Sequence, residues 1–161
     1  MGHTNRLMSA TLCLVGGTFD CFHIGHQSLL EAAFSCDSVE IWVSSDAIAL
    51  SKDPRIKSQT ERFEEISDWC GERRFSLHTL EDSWGPAPTR SDATHIVCTP
   101  ETRKNCDKIN QMRTDEGIPP LKILEVPHAL GRDGIPISSS RIRQGSIDRE
   151  GNLWIRAADL D

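Results

Sequence analysis

Apolar residues along this chain fall into short runs that alternate with stretches of helical spacing. Thr11-Leu12-Cys13-Leu14-Val15 is an apolar run ending at Gly16-Gly17, the pattern of a buried strand. Over residues 24–34, Ile24, Leu29, Leu30, Ala33 and Phe34 recur at helical spacing. Val39-Glu40-Ile41-Trp42-Val43 predicts a second strand. Residues 44–55 are polar, contain Pro54 and read as a loop. Residues 58–70 return to helical spacing with Phe63, Ile66, Trp69 and Cys70 on one face, and Ser58 or Thr60 suits the start. Residues 75–80 alternate as a third strand, and 81–88 are too rich in Gly and Pro for regular structure. A fourth strand follows at 95–98, a helix at 100–114 opened by Pro100, a fifth strand at 121–126 and a short helix at 138–145. This alternation predicts an α/β fold, a Rossmann-like doubly wound, five-stranded parallel sheet with helices on both faces. Residues 11–161 read as one domain and residues 1–10 as a polar, unstructured tail.

Charge and composition narrow the function. The 161 residues carry a formal net charge of -6, which argues against a general nucleic-acid binder with its broad basic footprint. No apolar run approaches the ~20 residues that span a bilayer, and the start lacks the apolar core of an export signal. No membrane partner and a cytoplasmic location are therefore expected. The six cysteines form no CxxC pair, so they read as reduced, mostly packed thiols. Trp42 and Trp69 read as core, Trp154 as packing the tail, and His78, His95 and His128 as structural or exposed. Nothing in the pattern sets an oligomeric state.

The strongest chemical signal follows the first strand. Ligands of an open α/β sheet bind beyond the carboxyl ends of its strands, and Gly16 and Gly17 occupy that end. Thr18 offers a hydroxyl, and Asp20 is placed to cap the next helix. His23 and His26, three apart, share the first turn, where backbone N–H groups favour anions. Gly25 between them leaves room for a phosphate or base. Such donors suit a polyphosphate whose α-phosphorus is attacked. Two histidines at this spacing also suit surface positions, or a metal held with Asp20 or Cys21.

The segment Gly16-Gly17-Thr18-Phe19-Asp20-Cys21-Phe22-His23-Ile24-Gly25-His26 resembles the signature of the HxGH nucleotidyltransferase superfamily. Ile137-Ser138-Ser139-Ser140-Arg141-Ile142-Arg143 resembles its second motif, ISSTxIR, with Ser140 where threonine is more usual. The resemblance implies attack of an acceptor phosphate on the nucleotide α-phosphate, loss of pyrophosphate and assistance by Mg²⁺. It gives Thr18 to the acceptor phosphate, and Gly16, Gly17, Thr18, Phe19, His23, Gly25 and His26 to the nucleotide. His26 would matter most in the transition state. Ser138, Ser139, Ser140, Arg141 and Arg143 would hold the β- and γ-phosphates.

Softer matches choose the branch. Ser44-Ser45-Asp46, Asp82-Ser83-Trp84-Gly85-Pro86, Thr99-Pro100-Glu101-Thr102 with Arg113, and residues 147–152 are similar to the archaeal and eukaryotic type of pantetheine-phosphate adenylyltransferase. That likeness implies ATP and 4′-phosphopantetheine as partners and dephospho-coenzyme A as product. Asp20, Lys52, Asp82 and Trp84, with Thr18, become the acceptor-side candidates, Lys52 being favoured over Lys57. A cytidylyltransferase, another adenylyltransferase for a small phosphorylated acceptor, and a nucleotide sensor without turnover are the alternatives.

Overall fold

The computed structural model describes residues 10–153. The expectations for the tail before Ala10 and for Trp154 lie outside the described residues. The apolar runs become β1 (Leu12–Gly17), β2 (Ser38–Ser44), β3 (Phe75–Leu80), β4 (His95–Cys98) and β5 (Lys122–Glu125). Between them lie α1 (Ile24–Ala33), α2 (Asp46–Lys52), α3 (Gln59–Cys70) and α4 (Arg103–Asp115), and α5 (Ser139–Arg143) follows β5. The five strands form one sheet in the order β3-β2-β1-β4-β5. Every pairing is parallel, with Val15 opposite Ile41, Val43 opposite Thr79 and Ile96 opposite Ile123. Strand order reverses beside β1, which opens a crevice at the carboxyl ends of β1 and β4.

The period-two alternation sorts side chains onto two faces. Cys13, Val15, Val39, Ile41 and Val43 pack with Leu30 and Ala33 of α1 and with Ile66 and Cys70 of α3. Leu14, Ile96, Cys98 and Leu121 face the other way, against Cys106 and Ile109 of α4 and Ala87 and Ala93 of the 81–94 segment. Helices thus cover both faces, as the pattern predicted.

Two elements differ from the sequence-based expectation. The polar stretch after β2 contains α2, capped by the Ser45 hydroxyl, which accepts from the Ile48 N–H. It ends at Asp53, so Pro54 stops the helix and does not abolish it. At α4, Pro100 and Thr102 form a turn before the helix, which starts at Arg103.

Two arginines lie inside the protein. Arg113 is 1% exposed and donates to the carbonyls of Pro119, Ala87, Arg90 and Ala93. It fastens the irregular 81–94 segment to α4. The same stretch is tied to the sheet by Arg90, which forms a fork with both oxygens of Glu40 on β2, at 2.9 and 2.7 Å. Arg62 of α3, also 1% exposed, donates to the carbonyls of Lys57, Thr18 and Ser44 and to Asp46. Among the described residues no helix is long and apolar enough to cross a membrane.

Candidate active site

The site is built where β1 and β2 end. The Lys52 ammonium, at the last turn of α2, donates to the Thr18 hydroxyl at 3.1 Å. That hydroxyl also lies 3.2 Å from the Ser44 hydroxyl at the end of β2. Beneath them Arg62 holds the Thr18 carbonyl at 3.0 Å and the Ser44 carbonyl at 2.8 Å. Lys52 is thus the lysine brought to Thr18, whereas the Lys57 ammonium turns to Glu65 at 2.8 Å. Missing α2 hid the reason: the helix carries Lys52 back over the strand ends.

A cavity of about 550 Å³ opens beside this trio, between the sheet, α4 and the 81–87 loop. Gly16, Gly17, Ser44, Lys52, Asp82 and Trp84 lie on its wall. Trp42, expected in the core, instead lines the cavity, stacked on His78 with ring centres 4.6 Å apart. Its indole N–H donates to Glu40 at 3.1 Å. Asp82 shapes the loop by accepting from the Trp84 and Gly85 N–H groups at 2.9 and 2.6 Å.

The backbone turns sharply on both sides of Asp20, with Phe19 and Cys21 in the left-handed region at φ 56° and 48°. Asp20 was expected to cap α1, and it does not. Its side chain is 2% exposed and takes the Lys57 N–H on one oxygen and Arg143 on the other. The Phe19 ring is buried in the core beside His26, so only its backbone remains for a nucleotide.

His23 caps α1 instead. Its Nδ1 accepts from the Gly25 N–H at 3.0 Å, and His26 Nδ1 accepts from the His23 N–H at 3.1 Å. The two histidines form a reciprocal capping box, a role usually taken by Ser or Thr with Glu or Gln. Their rings stack with centres 3.7 Å apart. A side chain on Gly25 would put its Cβ 2.7 Å from the His23 ring, so only glycine fits there. With both Nδ1 atoms accepting, each neutral ring carries its proton on Nε2 and presents it as a donor.

The electrostatics keep these rings neutral. Burial pushes His23 down to about 4, and the nearby Arg149 charge adds to this. Burial, then the adjacent His23, holds His26 well below the ordinary imidazole value. An unfolded His23 takes up a proton near 6.5, before the folded one does. The stabilisation is therefore complete above about pH 6.5 and is lost as pH falls towards about 4. For His23 alone the loss is about 3 kcal/mol. Urea midpoints measured at about pH 7 and about pH 4 should show this drop. His23→Asn, whose side-chain oxygen replaces Nδ1 as the cap, should flatten it.

The second motif joins the first through Asp20. Ser138 caps α5 by accepting from the Arg141 N–H, and the Ser139 hydroxyl donates to the Asp20 carbonyl. Ser140 is exposed. Arg141, expected at the phosphates, is held by Asp133 and the carbonyls of Ile135 and Pro136. Arg143 lies between Asp20 and Asp53, its Nε 3.3 Å from Asp53 but not aligned for a hydrogen bond.

Among the described residues no cluster of three or more His, Cys, Asp or Glu could hold a metal. The carboxylates paired with the second motif, Asp20, Asp53 and Asp133, already face arginine. All six cysteines are free thiols, four of them buried.

Residues 14–145 match the family described as cytidylyltransferase-like. A phosphopantetheine adenylyltransferase from Methanosarcina barkeri is 37% identical over 147 residues, 86% of this chain and 90% of that protein. A bifunctional phosphopantetheine adenylyltransferase/NTP phosphatase from Thermoplasma volcanium is 37% identical over 144 residues, and the match spans 44% of that longer protein. Among solved structures, a protein of unknown function from Archaeoglobus fulgidus superposes with a TM-score of 0.65 at 26% identity, covering 72% of this chain and 88% of that one.

Proposed function

This chain belongs to the cytidylyltransferase-like family and groups there with phosphopantetheine adenylyltransferases, and on that footing we propose that it transfers the adenylyl group of ATP to 4′-phosphopantetheine. A phosphate oxygen of the acceptor forms a bond to the α-phosphorus, the bond from that phosphorus to the bridging oxygen breaks, and pyrophosphate leaves. The products are dephospho-coenzyme A and pyrophosphate. The observation that carries this reading is the Lys52–Thr18–Ser44 contact beside the 550 Å³ cavity, whose wall Lys52 and Ser44 join. A phosphate there meets an ammonium and two hydroxyls, while the cavity offers a partly apolar space to its organic arm. The two Nε2–H donors at the start of α1 then serve the nucleotide phosphates, aimed where charge grows.

Magnesium fits as a companion of the nucleotide and not as a resident ion, since the nearby carboxylates are paired with arginine. Bound to the phosphates, it supplies neutralising charge. We propose that the reaction runs in the cytoplasm without a nucleic-acid or membrane partner.

A pyrophosphate-release assay offering ATP or CTP with 4′-phosphopantetheine tests the proposal. Release is expected with ATP, dependent on both substrates and on Mg²⁺. Turnover with CTP alone would point to a cytidylyltransferase, and ATP binding without release from any phosphorylated acceptor would point to a sensor.

A further inference from the structure

We infer that Arg149 and Lys57, tied together by Glu65, form a cation pair that receives the terminal phosphates of the nucleotide. This rests on the transfer reading and adds residues outside both motifs. The motif arginines are already engaged: Arg141 faces Asp133, and Arg143 lies between Asp20 and Asp53. Lys52 stands with Thr18 on the cavity side. The histidines are neutral donors, so the charge that balances a polyphosphate has to come from elsewhere.

Glu65 of α3 accepts from the Lys57 ammonium at 2.8 Å and from the Arg149 guanidinium at 3.0 Å. Among the described residues, no other carboxylate lies within ion-pair distance of either cation. Two positive charges therefore share one negative charge. The lysine and arginine side chains are 40% and 46% exposed, Glu65 only 25%, so the excess charge faces solvent. Burial raises the Glu65 carboxyl, but Lys57 and Arg149 outweigh it and hold it below its ordinary value, so it stays ionised.

Main-chain bonds set both cations against the first motif. The Arg149 carbonyl accepts from Ile24 N–H, the first residue of α1, at 3.2 Å. The Lys57 N–H donates to Asp20 at 3.2 Å. Arg149 is near enough to His23 to help lower its proton affinity. A nucleotide whose α-phosphate meets His23 and His26 can extend its β- and γ-phosphates to this pair. A nucleoside monophosphate cannot.

The test compares ATP and AMP binding by calorimetry in the wild type, Arg149→Gln and Lys57→Gln. Each variant should weaken ATP about tenfold while AMP changes by less than about twofold. Arg149→Lys, which keeps the charge, should recover most of the ATP affinity. A salt bridge that only braces α3 would leave the ATP-to-AMP ratio unmoved. An unmoved ratio, or equal losses of both ligands, would overturn the inference. A wild type that binds ATP but releases no pyrophosphate counts against the transfer reading instead, and the ratio still judges the cation pair.

Discussion

His26→Asn should lower kcat by about 100-fold or more and leave the fold intact. The two effects separate because the His26 ring has two tasks on two nitrogens. Nδ1 closes the capping box by accepting from the His23 N–H at 3.1 Å. The Asn side-chain oxygen falls where Nδ1 was, so the helix start stays satisfied. Nε2–H has no counterpart in Asn, and the donor aimed at the reacting phosphate is lost. His26→Gln is the companion variant, since Gln is a usual residue at this position of a capping box and its amide also reaches towards the Nε2 position. It should keep more activity than Asn. Steady-state pyrophosphate release and urea unfolding of both variants check this. An unchanged kcat in His26→Asn would remove the proposed role of the ring.

Arg62→Met should lower the unfolding free energy by about 3 kcal/mol or more and reduce kcat even where the protein remains folded. The guanidinium is 1% exposed and serves three carbonyls, those of Lys57, Thr18 and Ser44. Methionine fills much of the volume but leaves three buried acceptors unpaired. Two of them belong to the residues that frame the phosphate position, so Thr18 and Ser44 lose their common brace. Arg62→Lys should rescue only partly, because one ammonium cannot reproduce the fork. Denaturation midpoints and kcat at a temperature where the variant is folded decide the matter. A midpoint near the wild type would show that the buried network contributes little.

The sheet and the first motif were legible because both are local. Five apolar runs predicted five strands, and Gly16 to His26 held its chemistry in eleven consecutive residues. The roles inside the motif were less legible. Asp is a common capping residue, yet His23 caps α1 and Asp20 is buried among groups brought by the turn before α3 and by α5. No local pattern reports such partners. The α2 helix was hidden because Asp46 to Lys52 is short and followed by Pro54, although Ser45 carried its cap signal.

Arg62 and Arg113 were missed as structural residues, and here a signal existed. Arg62 stands in register with buried Ile66 and Cys70, and Arg113 with Cys106 and Ile109. An arginine on the apolar stripe of a helix, in place of its polar flank, marks a guanidinium that must find carbonyls inside. The family resemblance pointed to Arg141 and Arg143 for phosphate. Their carboxylate partners Asp133, Asp20 and Asp53 could be paired with them only in three dimensions.

The bond from Ser139 to Asp20 spans 119 residues. All five strands are complete by Glu125, before α5 begins at Ser139. A ribosome therefore releases every strand of the sheet before it releases the segment that closes around Asp20. During synthesis the scaffold can pair and bury its core while the phosphate site is still open. Assembly of the scaffold and onset of chemistry are thereby ordered in time by the position of one short helix near the end of the chain.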